Sequence, residues 1–234
     1  MEIVLAMRDC DHCHVIHFLA ADPLTIARRN PLFANVLCKA DVNVPDGLPL
    51  VWAIRAMGGQ ATRLTASDGL SLLCAMGAGV RHFFFGSSAV TVNRLAANLA
   101  AAHLGLQIVG VHSPPFRPME NDELVAAAAE IRSAGAEILW IGLGAPKQNF
   151  VAEQFRDHQA APVIITIGAA FDLAAGVKRR APRSMQRVGL EWMFRMFQEP
   201  RRLGRRYLIG NSRFVLDAAR AALLVRRPFN PRRR

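Results

Sequence analysis

Short apolar runs that do not alternate with polar residues recur between residues 40 and 167. Each is followed by a turn signal and a helical stretch. His82-Phe83-Phe84-Phe85, Gln107 to Val111, Glu137 to Ile141 and Val163 to Ile167 read as strands. Ala40-Asp41-Val42-Asn43-Val44 reads as another, ended by Pro45-Asp46-Gly47. A strand that is apolar along its whole length, rather than on one face, belongs in a sheet covered on both sides. The stretches at residues 49–57, 68–76, 89–103, 121–134 and 148–158 have helical character, and they suit right-handed crossovers between parallel strands. The expected fold class is therefore α/β: an open, mostly parallel sheet of five or six strands with helices on both faces, Rossmann-like. Ligands of such sheets bind outside the carboxyl ends of the strands. That directs attention to three loops: Pro45 to Gly47, Gly86 to Ser88 and Gly142 to Gln148.

Charge divides the chain unevenly. Residues 1–177 carry 12 basic and 15 acidic side chains, a net of −3, whereas residues 178–234 carry 17 basic and 3 acidic, a net of +14. Within that last quarter, Leu190, Met193, Phe194 and Phe197 recur at helical spacing ahead of Arg201, Arg202, Arg205 and Arg206. Phe214, Val215, Ala218, Ala222 and Leu223 form a second apolar stripe. Amphipathic helices with basic flanks are a pattern of membrane surfaces, and each cation near anionic lipid adds about 1 kcal/mol. Helices packed on the main domain with solvated arginines would give the same pattern. The expected organisation is an α/β core over residues 1–187 and a basic helical appendage over residues 188–234. No apolar run reaches the ~18 residues of a membrane span, and the acidic N-terminus does not read as a signal peptide. No helix-turn-helix, zinc finger or aromatic RNA-binding strand is apparent, so nucleic acid is not an expected partner.

The loops at the strand ends supply the candidate site residues. Gly86-Ser87-Ser88 offers backbone N–H groups at a helix start, where a phosphate can bind; Ser87 or Ser88 could equally be an ordinary N-cap. Asp46 is either a turn cap or a carboxylate in the cleft, where it could serve as a general base. In Gly144-Ala145-Pro146-Lys147-Gln148, Gly144 permits close approach, Lys147 can neutralise phosphate, and Gln148 can both donate and accept. Asp172 either orients a hydroxyl or caps a turn, and Lys178-Arg179-Arg180 brings cations suited to a diphosphate. A complete dinucleotide loop is missing, which argues against a nicotinamide-dependent oxidoreductase. Cys10-x-x-Cys13, with His12, His14 and His17 close by, has the look of a metal cluster. No second ligand pair follows at structural-zinc spacing, so no metal is expected.

Taken in order, these motifs resemble the WecG/TagA/CpsF family of bacterial glycosyltransferases. The matching segments are residues 40–47, 84–86, 141–148, 168–176, 180–182 and 189–202, within a likeness spanning about Phe18 to Tyr207. The resemblance implies an inverting, metal-independent transferase needing no cofactor beyond its UDP-sugar donor. The sugar would be N-acetylmannosamine or a uronic acid, and the acceptor an undecaprenyl-diphosphate-linked saccharide at the inner face of the plasma membrane. It implies a cytoplasmic, peripherally membrane-associated protein of cell-surface polysaccharide synthesis, with homo-oligomerisation left open. By the same resemblance Asp46 is the catalytic base and Gln148 a donor-sugar contact. Arg195, Arg202, Arg205 and Arg206 belong to an appendage that meets the diphosphate, while Asp172 and Arg180 line the same region. The chain departs from the family pattern where Phe18 and Ala20 replace a Thr and an Asn, and where Asn149 and Ala66 replace a frequent Glu and Gly. These departures motivate the alternative of a divergent, weakly active or inactive nucleotide-sugar-binding protein at the membrane.

Overall fold

The computed structural model describes residues 2–10, 12–76, 79–187, 190–200, 204 and 214. In chain order the elements are α1 (Glu2–Met7), β1 (His14–Leu19), α2 (Ala21–Ala27), α3 (Pro31–Lys39), β2 (Val42–Pro45), α4 (Leu48–Ala56), α5 (Ala66–Met76), β3 (Arg81–Gly86) and α6 (Ala89–Ala102). They continue with β4 (Gln107–His112), α7 (Asn121–Ser133), β5 (Ile138–Gly142), α8 (Lys147–Asp157), β6 (Val163–Thr166), α9 (Ala170–Ala174), α10 (Arg183–Arg187) and α11 (Glu191–Gln198). Six strands form one sheet in the order β2-β1-β6-β5-β3-β4. The pairs β1·β6, β5·β6, β3·β5 and β3·β4 are all parallel. The mixed α/β class with a mostly parallel sheet is therefore the one expected.

The chain divides into two compact units, each assembled from separate stretches. The first comprises Met1–Phe18, Asn30–Val44 and Thr65–Arg180; the second comprises Leu19–Arg29, Pro45–Leu64 and Ala181–Arg234. The basic segment expected to begin at residue 188 falls in the second unit. That unit takes up the chain from Ala181 and also holds two earlier excursions from the ends of β1 and β2.

The first unit has its core on both faces of the sheet, because side chains of a strand point alternately up and down. On one face Val15, Phe83, Phe85, Leu139, Ile141 and Ile164 meet Leu124, Ala127 and Ile131 of α7 and Val151, Ala152 and Phe155 of α8. On the other, Phe84 stacks on Trp140 with centroids 6.4 Å apart and meets the edge of Phe171 at 6.0 Å. Gly69 of α5 lies against the ring of Phe18; a Cβ there would stand 2.5 Å from it. In the second unit, Ala21 of α2, Ala53 of α4 and Phe214 form a small buried cluster flanked by Leu24 and Leu50.

The strand β1, one in from the edge, is not evident in the sequence because His14 and His17 interrupt its apolar run. Both are nevertheless buried, each with a partner. His17 shares a 3.0 Å hydrogen bond with Thr166 of the neighbouring β6, and His14 meets Asp41. A third buried imidazole, His82, accepts at Nδ1 from the indole N–H of Trp140 at 3.0 Å. Trp can only donate, so the proton of His82 sits on Nε2.

Burial pushes His17 and His82 down to about 4. Each stays neutral in the folded chain at pH values where the unfolded chain binds a proton, so stability is full above about 6.5 and is lost as pH falls toward 4. Between pH 7 and 5, each should cost about 2 kcal/mol of unfolding free energy. Urea midpoints over that interval measure the loss, and His17→Gln should flatten the slope relative to the parent chain. Parallel pH profiles for the two proteins would show that His17 is not the neutral, desolvated group described.

Candidate functional site

In the second unit, residues from all three of its stretches converge on a cavity of about 90 Å³, lined by Ala20, Ala21, Asp22, Asp46, Gly47, Leu48, Pro49, Arg63, Glu191, Trp192 and Arg195. Asp46 follows the last residue of β2, and its backbone N–H donates to the carbonyl of Leu19 at 2.9 Å. Gly47 then caps α4, whose early Pro49 suits a first helical turn that needs no donor. The carboxylate of Asp46 is thus carried on a corner between a strand end and a helix start, where the backbone is fixed on both sides.

Arg63 organises this corner. Its Nε donates to the carbonyl of Asp46 at 3.3 Å and one terminal nitrogen to the carbonyl of Gln186 at 2.8 Å; the other terminal nitrogen pairs with the carboxylate of Glu191. Glu191 is buried and also accepts from Arg195, one helical turn on, at 3.3 Å. The rigid guanidinium fork is the side chain suited to three such partners at once. Arg63, Glu191 and Asp22 were not among the residues singled out by sequence. Glu191 lies inside a recognised motif, but Arg63 sits in a loop with no pattern around it, and only the folded chain reveals its partners.

Gly86, Ser87, Gly144, Lys147, Gln148, Asp172 and Arg180 lie in the first unit. Gly86 ends β3 at φ 137°, against the backbone of Gly142 at the end of β5, where a Cβ would meet Gly142 O at 2.5 Å. Ser87 follows at φ 57°, an uncommon conformation for a residue with a side chain. Its N–H donates to Gly142 O at 3.1 Å, and its carbonyl accepts from the Ser113 hydroxyl at 2.8 Å. Ser88, not Ser87, caps α6, accepting from the backbone of Thr91. Gln148 is buried at the start of α8; its Oε1 accepts from Gly144 N at 3.1 Å and lies close to Gly168. It closes the loop that bears Gly144 and Lys147, and the Lys147 ammonium donates to the carbonyl of Arg117 at 3.0 Å. Beside Gln148, Asn149 is wholly buried with neither side-chain polar atom hydrogen-bonded.

Two of the expected phosphate or hydroxyl contacts already have strong partners. Arg180 forms a two-pronged pair with Asp68 at 2.7 and 2.9 Å and donates to Thr65 Oγ1 at 3.1 Å. Asp172 pairs with Lys178 at 2.6 Å. Of the appendage arginines, Arg195 borders the cavity of the second unit; Arg202, Arg205 and Arg206 lie outside the described residues.

Residues 2–228 match the family described as the glycosyl transferase WecG/TagA/CpsF family. The chain belongs to that family. This WecG/TagA/CpsF member is accordingly a glycosyltransferase at the level the family defines. Among its described residues, no helix is long and apolar enough to cross a membrane.

Replacing Arg63 with Ala leaves Glu191 buried with one weaker partner and frees two backbone carbonyls. Breaking a buried pair by removing one partner is costly, so Arg63→Ala should destabilise the protein by about 2–4 kcal/mol. Arg63→Lys keeps the charge without the fork and should fall between. Urea unfolding of the three proteins checks the order, and identical midpoints would show that the network contributes nothing.

Proposed function

We propose that this family member is an inverting transferase that moves N-acetylmannosamine or a uronic acid from a UDP donor to an undecaprenyl-diphosphate-linked saccharide, with Asp46 as general base. The observation that carries the reading is Asp46 itself: a carboxylate on a fixed backbone corner, bordering a cavity that also holds Arg63 and Arg195. The acceptor hydroxyl gives its proton to Asp46 as its oxygen attacks the anomeric carbon. The bond from that carbon to the diphosphate oxygen breaks, its electron pair leaves with UDP, and the configuration inverts. A guanidinium at the departing diphosphate stabilises the charge that develops there. Arg195, which borders the cavity, is the candidate for that role, and the other appendage arginines enter by family resemblance. Gln148 is proposed as a donor contact on the same basis, and Lys147 because its ammonium can neutralise phosphate.

The cavity volume limits what can sit beside Asp46. About 90 Å³ is well below the ~300 Å³ of the smallest ordinary ligand pockets. A sugar hydroxyl and part of its ring can enter, while the rest of the substrates extends beyond it. Ala20, Ala21, Leu48 and Pro49 supply apolar walls, and Asp22, Arg63, Glu191 and Arg195 supply the charged groups beside Asp46. Ala20 stands where the family has a side chain that can hydrogen-bond, so orientation of the acceptor falls to Asp46, Asp22 and the arginines.

Asp46→Asn should leave UDP-sugar binding intact and lower transfer by ~10²–10⁴-fold, the range for loss of a general base. Product formation from UDP-sugars and a polyprenyl-diphosphate saccharide, read by mass, provides the assay. Equal rates for mutant and parent would remove the base assignment. For peripheral attachment, the +14 charge of residues 178–234 predicts co-sedimentation with anionic vesicles. Zwitterionic vesicles should not bind it, and raised salt should release it. Equal binding to both vesicle types would rule out the electrostatic mode of attachment.

A further inference from the structure

We propose that His12, His14 and Asp41 form a binding site for a late first-row divalent metal ion of the zinc type, at the amino ends of β1 and β2. The His-x-His spacing sits within the Cys- and His-rich N-terminal motif, which looks unpromising as sequence because no second ligand pair follows nearby. The fold supplies the third donor from 27 residues further on: Asp41, just ahead of the neighbouring strand. The candidate ligand atoms of the three residues all lie within 4.8 Å of one another. The imidazole rings of His12 and His14 are 4.1 Å apart and tilted by 56°.

The distances suit a tetrahedral ion. His14 Nδ1 and Asp41 Oδ1 are 3.2 Å apart, and bonds of about 2.0 Å to a tetrahedral centre place neighbouring ligand atoms about 3.3 Å apart. An ion between them takes the place of the proton these two atoms now share, and His12 needs only a small turn to complete three ligands. His12 is exposed, which gives an ion access from solvent and leaves a fourth position for water. Two imidazoles and a carboxylate are a donor set for zinc, cobalt, nickel or copper rather than for magnesium or calcium.

The surroundings hold the carboxylate in place. The second oxygen of Asp41 accepts from the backbone of Val15 and from Arg156, each at 2.8 Å. Such outer contacts orient a ligand, and they leave Oδ1 turned toward His14. The imidazole of His14 is more than nine-tenths buried, and its Nε2 makes no hydrogen bond. Nδ1 is therefore the ring atom with a partner, and a metal there fixes the ring through its stronger bond. The two cysteines of the motif are not in the donor set. Cys13 turns into the core, where burial pushes its thiol up to about 12, and Cys10 points back at the carbonyl of Ala6. Arg156 places a positive charge on the same carboxylate, so the expected affinity is micromolar rather than that of a structural zinc centre.

The test uses the untagged full chain, with zinc titrated calorimetrically and cobalt followed by its visible absorption. The expected result is one ion per chain with a tetrahedral-type cobalt spectrum. His12→Ala and His14→Gln should each weaken binding by about tenfold or more, while the Cys10→Ala/Cys13→Ala double variant binds as the parent does. His12 is exposed, so its removal leaves the fold intact, and equal thermal melting of the His12→Ala and parent apo-proteins verifies this. Absence of saturable binding overturns the proposal. So does binding unchanged by His12→Ala, which would place the ion elsewhere, or binding lost in the cysteine double variant, which would make the thiols the ligands.

Discussion

The guanidinium of Arg63 joins three pieces of chain that have no sequence relation to one another. It reaches the carbonyl of Asp46, the carbonyl of Gln186 and the carboxylate of Glu191, residues spread over most of the chain's length. The second unit is built from discontinuous stretches, and its buried apolar cluster among the described residues is small: Ala21, Ala53 and Phe214 with two partly buried leucines. A cluster of that size buries little area, and each fully buried aliphatic side chain contributes only about 1.5–3 kcal/mol. The Arg63 contacts hold the backbone under Asp46, so the position of the proposed base depends in part on an ion pair.

How much of this was legible depended on whether the signal was local. β3, β5 and β6 announce themselves because consecutive Phe, Ile and Trp residues have no place to go but a sheet covered on both faces. The helix from Ala89 was equally plain, although the choice between Ser87 and Ser88 as its cap needed the backbone: Ser87 is in the left-handed region and Ser88 is extended. β1 was hidden, and its position explains why. His17 fits a buried strand only because Thr166 of β6 stands beside it, a partner 149 residues away that no window along the sequence contains. Arg63 was hidden for the same reason. A single arginine in a polar loop is ordinary until its three acceptors are seen together.

Charge was the least reliable guide at the level of single residues. The run Lys178-Arg179-Arg180 reads as a diphosphate cradle, yet Lys178 faces Asp172 and Arg180 grips Asp68 and Thr65. These pairs tie the end of the first unit back onto α5 and α9. A guanidinium that makes two short bonds to one carboxylate has spent much of its directional capacity, and an incoming phosphate would have to displace that carboxylate to use it. Net charge describes the field that a segment presents at a distance. It does not say which cations have donors left over, and only the contact geometry separates the two questions.

The environment of Asp46 bears on how the proposed general base would work there without being buried deeply. Proton transfer needs the base held at hydrogen-bond distance from one hydroxyl, in a setting where few other groups offer that hydroxyl a better partner. A fixed corner supplies the first condition: the N–H of Asp46 is bound to Leu19 and its carbonyl to Arg63, so the backbone that carries the carboxylate is held from both sides. The apolar walls of Ala20, Ala21, Leu48 and Pro49 bear on the second, with Asp22 and Arg195 as the charged groups beside them. If Ala20 stands in place of a polar residue, as the resemblance implies, the change would remove one competing hydrogen-bond partner from that surround and also one means of orienting the acceptor. The two effects oppose each other in rate, and they separate in measurement: lost orientation raises KM for the acceptor, whereas a less solvated base acts on kcat.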